Sequence, residues 1–226
     1  MRFLLLSALL SFSALASDET VQVQGKCEVK VSPDRGMITF TVENQSKDQA
    51  EAVKKTTAQM EGFRSEILAL KMKNSELHNG TYEVAKVQEY VKDRMVDKGF
   101  RATMSLELTT SEIERIGEAT QAASKHKITN VGSLSTFLSL EKSREEYLKC
   151  LDIAAEDARN KAQQLAKKLG FSVGGVQTII ENPISTPSFA MAPRFERMSK
   201  TMDATPTIDA SQLTFSTQLS VSFYVK

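Results

Sequence analysis

The sequence predicts an α+β fold: two small two-layer units of mostly antiparallel sheet, helices packed on one face, and a long strand closing the chain. Two observations carry that expectation. Apolar and polar residues alternate with period two from Val21 to Val31 and again from Leu213 to Val225, the pattern of a strand with one dry and one wet face. Between such stretches lie segments with apolar residues three and four apart, the period of a helix buried along one side. Two hairpin-like strands, a helix, then strands and helices in turn make segregated layers.

The elements follow in order. Val21, Val23, Cys27, Val29 and Val31 alternate with polar partners, Ser32 to Gly36 turns the chain, and Ile38, Phe40 and Val42 begin a return strand. Ser46 with Gln49 three residues on is a capping box, and Val53, Met60, Phe63, Ile67 and Leu70 mark one face of the helix behind it. Tyr82 to Val91 and Phe100 to Thr109 read as strands, the second with Phe100, Ala102, Met104, Leu106 and Leu108 on one face. Ser111 with Glu114 caps a short helix ending near Lys125, and Val131 to Leu140 is strand-like. Ser143 with Glu146 caps a long helix that Gly170 stops, and Val173 to Glu181 is strand-like again. Residues 183–211 break all periodicity and hold every proline but Pro33, so a long loop is expected before the closing strand at 212–226.

At the N-terminus, Arg2, the apolar run Phe3 to Leu15 and the small residues of Ala14-Leu15-Ala16 form a cleavable export signal over residues 1–16. The apolar run is shorter than the ~20 residues that span a bilayer. The mature chain, 17–226, is then expected to be exported to the periplasm and soluble, as one domain or as two subdomains divided near 92–100. Without Arg2 it carries 28 basic and 28 acidic side chains, a balance unlike that of a nucleic-acid binder. No repeat of 20 to 50 residues is visible.

The long helix poses the chemical question, because "CLDIAAEDARNKAQQLAKKLG" (150–170) is dense in charge. Leu148, Leu151, Ala155, Ala158, Ala162, Leu165 and Leu169 fall three and four apart and are expected to form the buried stripe, with alanines where a sheet comes close. Asp157 and Lys161 lie on the wet face in the favourable i,i+4 order, so the helix is expected to pack rather than to catalyse.

The order A-x-x-D-A-R-x-K-A-x-x-L-A-x-x-L-G from Ala154 to Gly170 resembles the signature helix of the SIMPL-domain family of secreted bacterial proteins. Val23-Gln24-Gly25 followed by Val31-Ser32-Pro33-Asp34 resembles its opening V-x-G … V-x-P-D. Gly99-Phe100-Arg101-Ala102 resembles its G-[YF]-x-A strand start, and Val131 to Leu138 and the last strand resemble two further family strands. The resemblance spans nearly the whole mature chain. It implies a periplasmic protein with two small α+β units, associated with envelope or oxidative-stress defence and with self-assembly. It brings no catalytic residues.

The residues themselves suggest little catalysis. His78 is expected in a loop after the first helix and His126 at the end of the second, neither with a neighbour at metal-ligand spacing. His126, beside Lys125 and Lys127, suits a helix C-terminus. No G-x-S-x-G, H-E-x-x-H or phosphate-binding glycine loop occurs. No catalytic, cofactor-binding or metal-ligating residue is therefore expected. Cys27 and Cys150 leave two readings: small buried hydrophobes, or a structural disulfide favoured by an oxidising compartment and an even count. A redox pair is usually closer in sequence. In the expected loop, Phe189, Met191, Phe195 and Met198 are apolar enough to bury against the fold or to serve self-association.

Together these observations predict an exported, non-enzymatic protein that forms a homo-oligomer, with peripheral envelope association as a lesser expectation. The alternative is a periplasmic redox or other enzyme using Cys27 and Cys150 or a pocket that no motif announces.

Overall fold

A computed structural model describes residues 19–185, 190–191 and 212–226. The expected export signal, residues 1–16, and Phe189, Phe195 and Met198 lie outside them, and of Met191 only the backbone strand is described. The chain divides into two compact units. One comprises Glu28–Cys150 and Ser185–Ser216; the other comprises Met1–Cys27, Leu151–Ile184 and Thr217–Lys226. The division is discontinuous in sequence, whereas residues 92–100 lie inside the first unit, between and within two paired strands.

The first unit is built on strands β2 (Arg35–Ser46), β3 (Glu76–Val91), β4 (Arg94–Thr110), β5 (Asn130–Val131), β6 (Ser135–Phe137) and β8 (Ala190–Met191). Their order is β3-β4-β2-β6-β8, with β5 also on β2, and every pairing is antiparallel. Helices α1 (Gln49–Ala69) and α2 (Ile116–Lys125) contribute to a single apolar core with the sheet. Ile38, Phe40 and Val42 of β2 and Leu106 and Leu108 of β4 meet Met60, Phe63 and Ile67 of α1 there, and Phe40 and Phe63 stack as tilted rings 4.7 Å apart.

Several local expectations shift by a few residues. Asp48, not Ser46, caps α1: its side chain accepts the Glu51 N–H at 2.8 Å, while Ser46 Oγ donates to Glu51 Oε2. A 3-10 turn, Ile113–Arg115, precedes α2 without a side-chain cap. The stretch Val131 to Leu140 is only β5 and β6, because α3 (Leu140–Leu169) begins at its end. Ser139 starts that helix in place of Ser143: its Oγ accepts the Lys142 N–H at 3.2 Å. Asp34 holds Ser139 in turn, accepting from its N–H at 2.7 Å and its hydroxyl at 2.6 Å. His78 lies on β3, not in a loop.

The second unit is organised by the sheet β1-β9-β7, formed by β1 (Thr20–Val31), β9 (Leu213–Val225) and β7 (Val173–Ser185). The period-two reading of β9 holds along its length: Leu213, Phe215, Thr217, Leu219, Val221 and Phe223 are all buried. Thr217 is the odd member, since its hydroxyl is buried with no hydrogen-bond partner among the described residues. An unmet buried hydroxyl costs stability that an apolar isostere does not. Thr217→Val is therefore expected to raise the unfolding free energy by about 1 kcal/mol, read as a higher melting temperature. The interval 183–211 is not wholly irregular, because β7 runs to Ser185 and Ala190–Met191 pairs with β6. Pro183 fits β7 because this strand ends the sheet order, and an edge strand tolerates a missing N–H.

The helix faces differ from the expected stripe. The buried positions are Cys150, Ala154, Ala158, Ala162 and Ala166, each four after the last. Leu148, Leu165 and Leu169 are exposed instead, at 52%, 40% and 72%. The cause is proximity: the sheet comes too near to admit anything larger than a methyl group along that line.

Candidate functional site

The approach of α3 to β1 defines the second unit. Gly25 lies beneath Ala154 and Ala158, and a Cβ on Gly25 would sit 1.9 Å from the Ala154 carbonyl oxygen. On either side of this contact, α3 reaches the strand's backbone. Asp157 Oδ2 accepts the Lys26 N–H at 2.8 Å, Lys161 Nζ donates to the Gln24 carbonyl at 2.9 Å, and the two side chains pair with each other at 2.5 Å. A carbonyl at residue i and an N–H at i+2 point to the same side of a strand. The outer edge of β1 is therefore occupied by the helix's own side chains. The Lys161 ammonium, and then the Lys26 N–H, hold the Asp157 carboxyl below its ordinary value.

Asp157 is thus a clamp and not a passive solvated charge. Asp157→Ala is expected to cost about 1–2 kcal/mol, the lower part of the range for a charged hydrogen bond because the group is partly exposed. Ala158→Leu, which forces three heavy atoms into the buried contact, is expected to cost about 1–3 kcal/mol or more. Thermal melts of both variants beside Glu156→Ala, which removes no described bond, check the order: Ala158→Leu worst, Glu156→Ala near wild type.

On its other side, α3 leaves a groove of about 400 Å³ between itself and the β7–β9 part of the sheet. Leu219, Val221 and Phe223 of β9 and Val176 and Ile179 of β7 line it, facing Ala155, Glu156 and Arg159 of α3. Sequence reasoning missed this surface. The run Val173 to Ile180 has no charged side chain, which was a signal, but nothing in the sequence said that the strand would end a sheet. Val176, Ile179 and Ile180 are about half exposed, at 49%, 59% and 54%.

The residues considered for catalysis are dispersed. His126 ends α2, where its Nε2 lies 2.7 Å from Glu66 Oε2, and Lys125 reaches the other oxygen of that carboxylate at 2.7 Å. His78 stands 3.4 Å from Glu76 on exposed strand. Arg115 bonds Glu118 and Glu112 and the Leu70 carbonyl at 3.1 Å, and Glu112 also accepts the Lys73 N–H at 2.7 Å. This network ties the end of α1 to the start of α2 and is fully paired. Among the described residues no cluster of three or more His, Cys, Asp and Glu could hold a metal. Cys27 and Cys150 are both disulfide-bonded and buried, so neither is a free thiol.

The pieces that hold the second unit together sit in two sequence patterns, Val23-Gln24-Gly25 and the Ala154 to Gly170 helix. A family model described as SIMPL, protein of unknown function (DUF541), matches residues 21–223, which includes both. The chain belongs to the SIMPL family. Relatives are similar along almost its whole length. The proteins named Uncharacterized protein YggE in Escherichia coli K12, Escherichia coli O157:H7 and Shigella flexneri are each 19% identical over 228 residues, covering 98% of this chain and 92% of theirs. In this SIMPL chain the motif residues have physical tasks: Gly25 admits the helix, Asp157 and Lys161 clamp the strand, and Asp34 anchors Ser139.

Proposed function

We propose that this SIMPL protein is exported and works in the periplasm without catalysis, by self-assembly, in support of envelope or oxidative-stress defence. The observation that carries the reading is the uncovered apolar surface of β7 and the groove beside it. Apolar surface of this kind marks association. The disulfide-bonded state of both cysteines supports an oxidising compartment, as does the leader pattern ending in Ala14-Leu15-Ala16. No helix among the described residues is long and apolar enough to cross a membrane. Against the alternative of a redox enzyme working through Cys27 and Cys150 stands their burial, at 3% and 0% exposed, since reactive thiols are accessible ones.

Two measurements test the proposal. Intact mass of protein from the periplasmic fraction is expected to correspond to a chain beginning at Ser17; a mass retaining Arg2 refutes processing at Ala16. Size-exclusion chromatography with light scattering on the mature chain is expected to give a defined oligomer, and a monomer at every concentration refutes self-assembly.

A further inference from the structure

The two edges of the β1-β9-β7 sheet are treated differently. The β1 edge is blocked where Asp157 and Lys161 take up the Lys26 N–H and the Gln24 carbonyl. A strand edge closed by side chains offers nothing to an incoming strand. The β7 edge has no such guard: from Val173 to Ile180 it has no charged residue, and its only strand neighbour among the described residues is β9. It also exposes Val176, Ile179 and Ile180 beside the apolar groove. Lysines, inward charges and covering loops are the usual protections of an edge, and this central stretch shows none of them.

We infer that the free edge of β7 is where a second copy of this chain adds, the two β7 strands pairing antiparallel about a two-fold axis so that the three-stranded sheets join into one. The inference rests on the self-assembly reading and names its contact. A two-fold contact must be complementary to itself, and the edge meets that requirement in both polarity and charge. An identical apolar strand supplies Val176, Ile179 and Ile180 to cover their counterparts. The groove's rim carries one acid and one base, Glu156 and Arg159, neither with an ion pair among the described residues. A two-fold axis gives each of them the opposite charge to meet. Backbone pairing supplies the directional part of the contact, and burial of the β7 side chains supplies the rest, in the manner of strand addition at an open sheet edge.

The test uses the full mature chain. Ile179→Lys places a charge on the edge at a position already 59% exposed, so the fold of the subunit is expected to survive. Light scattering is expected to show its mass reduced at least twofold relative to wild type, while Ile153→Lys, an exposed change on α3 outside the groove lining, keeps the wild-type mass. Independently, Gln177→Cys is expected to cross-link into covalent dimers on mild oxidation, because paired β7 strands bring the same residue of two copies close to the axis. An oligomeric wild type that keeps its mass as Ile179→Lys overturns the β7 contact and leaves self-assembly standing. A monomeric wild type overturns both. If Ile179→Lys proves unfolded, cross-linking decides: covalent dimers support the contact and their absence overturns it. A monomeric wild type that takes up a fluorescent fatty acid also overturns it, in favour of a small amphiphile in the groove.

Discussion

Gly25→Ala is expected to be among the most damaging single changes in this protein, although it adds one methyl group to a strand. The new Cβ would stand 1.9 Å from the Ala154 carbonyl oxygen and 2.9 Å from both the Ala154 carbonyl carbon and Ala158 Cβ. Two of those three atoms are helix backbone, so no rotamer change relieves the contact, and β1 and α3 must separate by more than an ångström. Separation also lengthens the Lys26–Asp157 and Gln24–Lys161 hydrogen bonds that flank the site. Overpacking typically costs about 1–3 kcal/mol, and a clash against backbone belongs at or above the top of that range. The loss of unfolded-state freedom on replacing glycine returns only about 0.4–1 kcal/mol. Gly175→Ala is the matched control, because a Cβ there meets nothing within 4 Å. Thermal unfolding should leave Gly175→Ala near wild type and lower Gly25→Ala by on the order of 10 °C, given about 2–4 °C per kcal/mol for a chain of this size. Equal melting temperatures would mean that α3 does not lie on β1 as closely as described.

Gly99→Ala is expected to have a comparable effect for a partly different reason. β3 and β4 pair Val87 with Gly99 and Gln88 with Asp97, so Lys98 is an extra residue in a bulge, and Gly99 adopts φ +91°. A side chain in that region costs about 1–2 kcal/mol from backbone strain alone. Added to this, a Cβ would meet the Ser46 carbonyl oxygen at 2.2 Å and Lys47 Cα at 2.8 Å. The total expected is about 2–5 kcal/mol, the sum of strain and overpacking. Gly170 separates the two contributions, since it has φ +81° at the end of α3 but open space where a Cβ would go. Gly170→Ala should therefore show the strain alone, about 1–2 kcal/mol, and Gly99→Ala clearly more in the same denaturant titration. If the two variants are equally stable, the approach of Ser46 to the bulge is not tight.

Much of the architecture was legible in the chain because period-two and period-3.6 patterns report which side of an element is dry, a local property. The α+β class, the strands β1, β2, β4 and β9 and the existence of all three helices follow from that alone. Helix starts were less legible. Ser46, Ser111 and Ser143 each have an acid or amide three residues on, yet Asp48 and Ser139 serve α1 and α3, and α2 has no side-chain cap. A capping box is short enough to recur by chance, and the start of α3 is decided by Asp34, which lies 105 residues from Ser139.

What the sequence alone determined, then, is which residues are dry in each element and, through five motifs in register, the family. The tertiary structure decided the face of α3 and the fate of β7. Leucine is the more apolar residue, so hydropathy places Leu148, Leu165 and Leu169 on the buried stripe. Gly25 brings β1 so near that only the Ala154, Ala158, Ala162 and Ala166 line fits. Asp157 and Lys161 turned from solvated charges into a clamp for the same reason, since the helix that comes that close also reaches the strand's edge. For β7, the strand pattern was visible but its place in the sheet was not. Whether a strand's second row of backbone groups is paired depends on which strand the chain lays beside it, and that neighbour is a property of the fold, not of the strand.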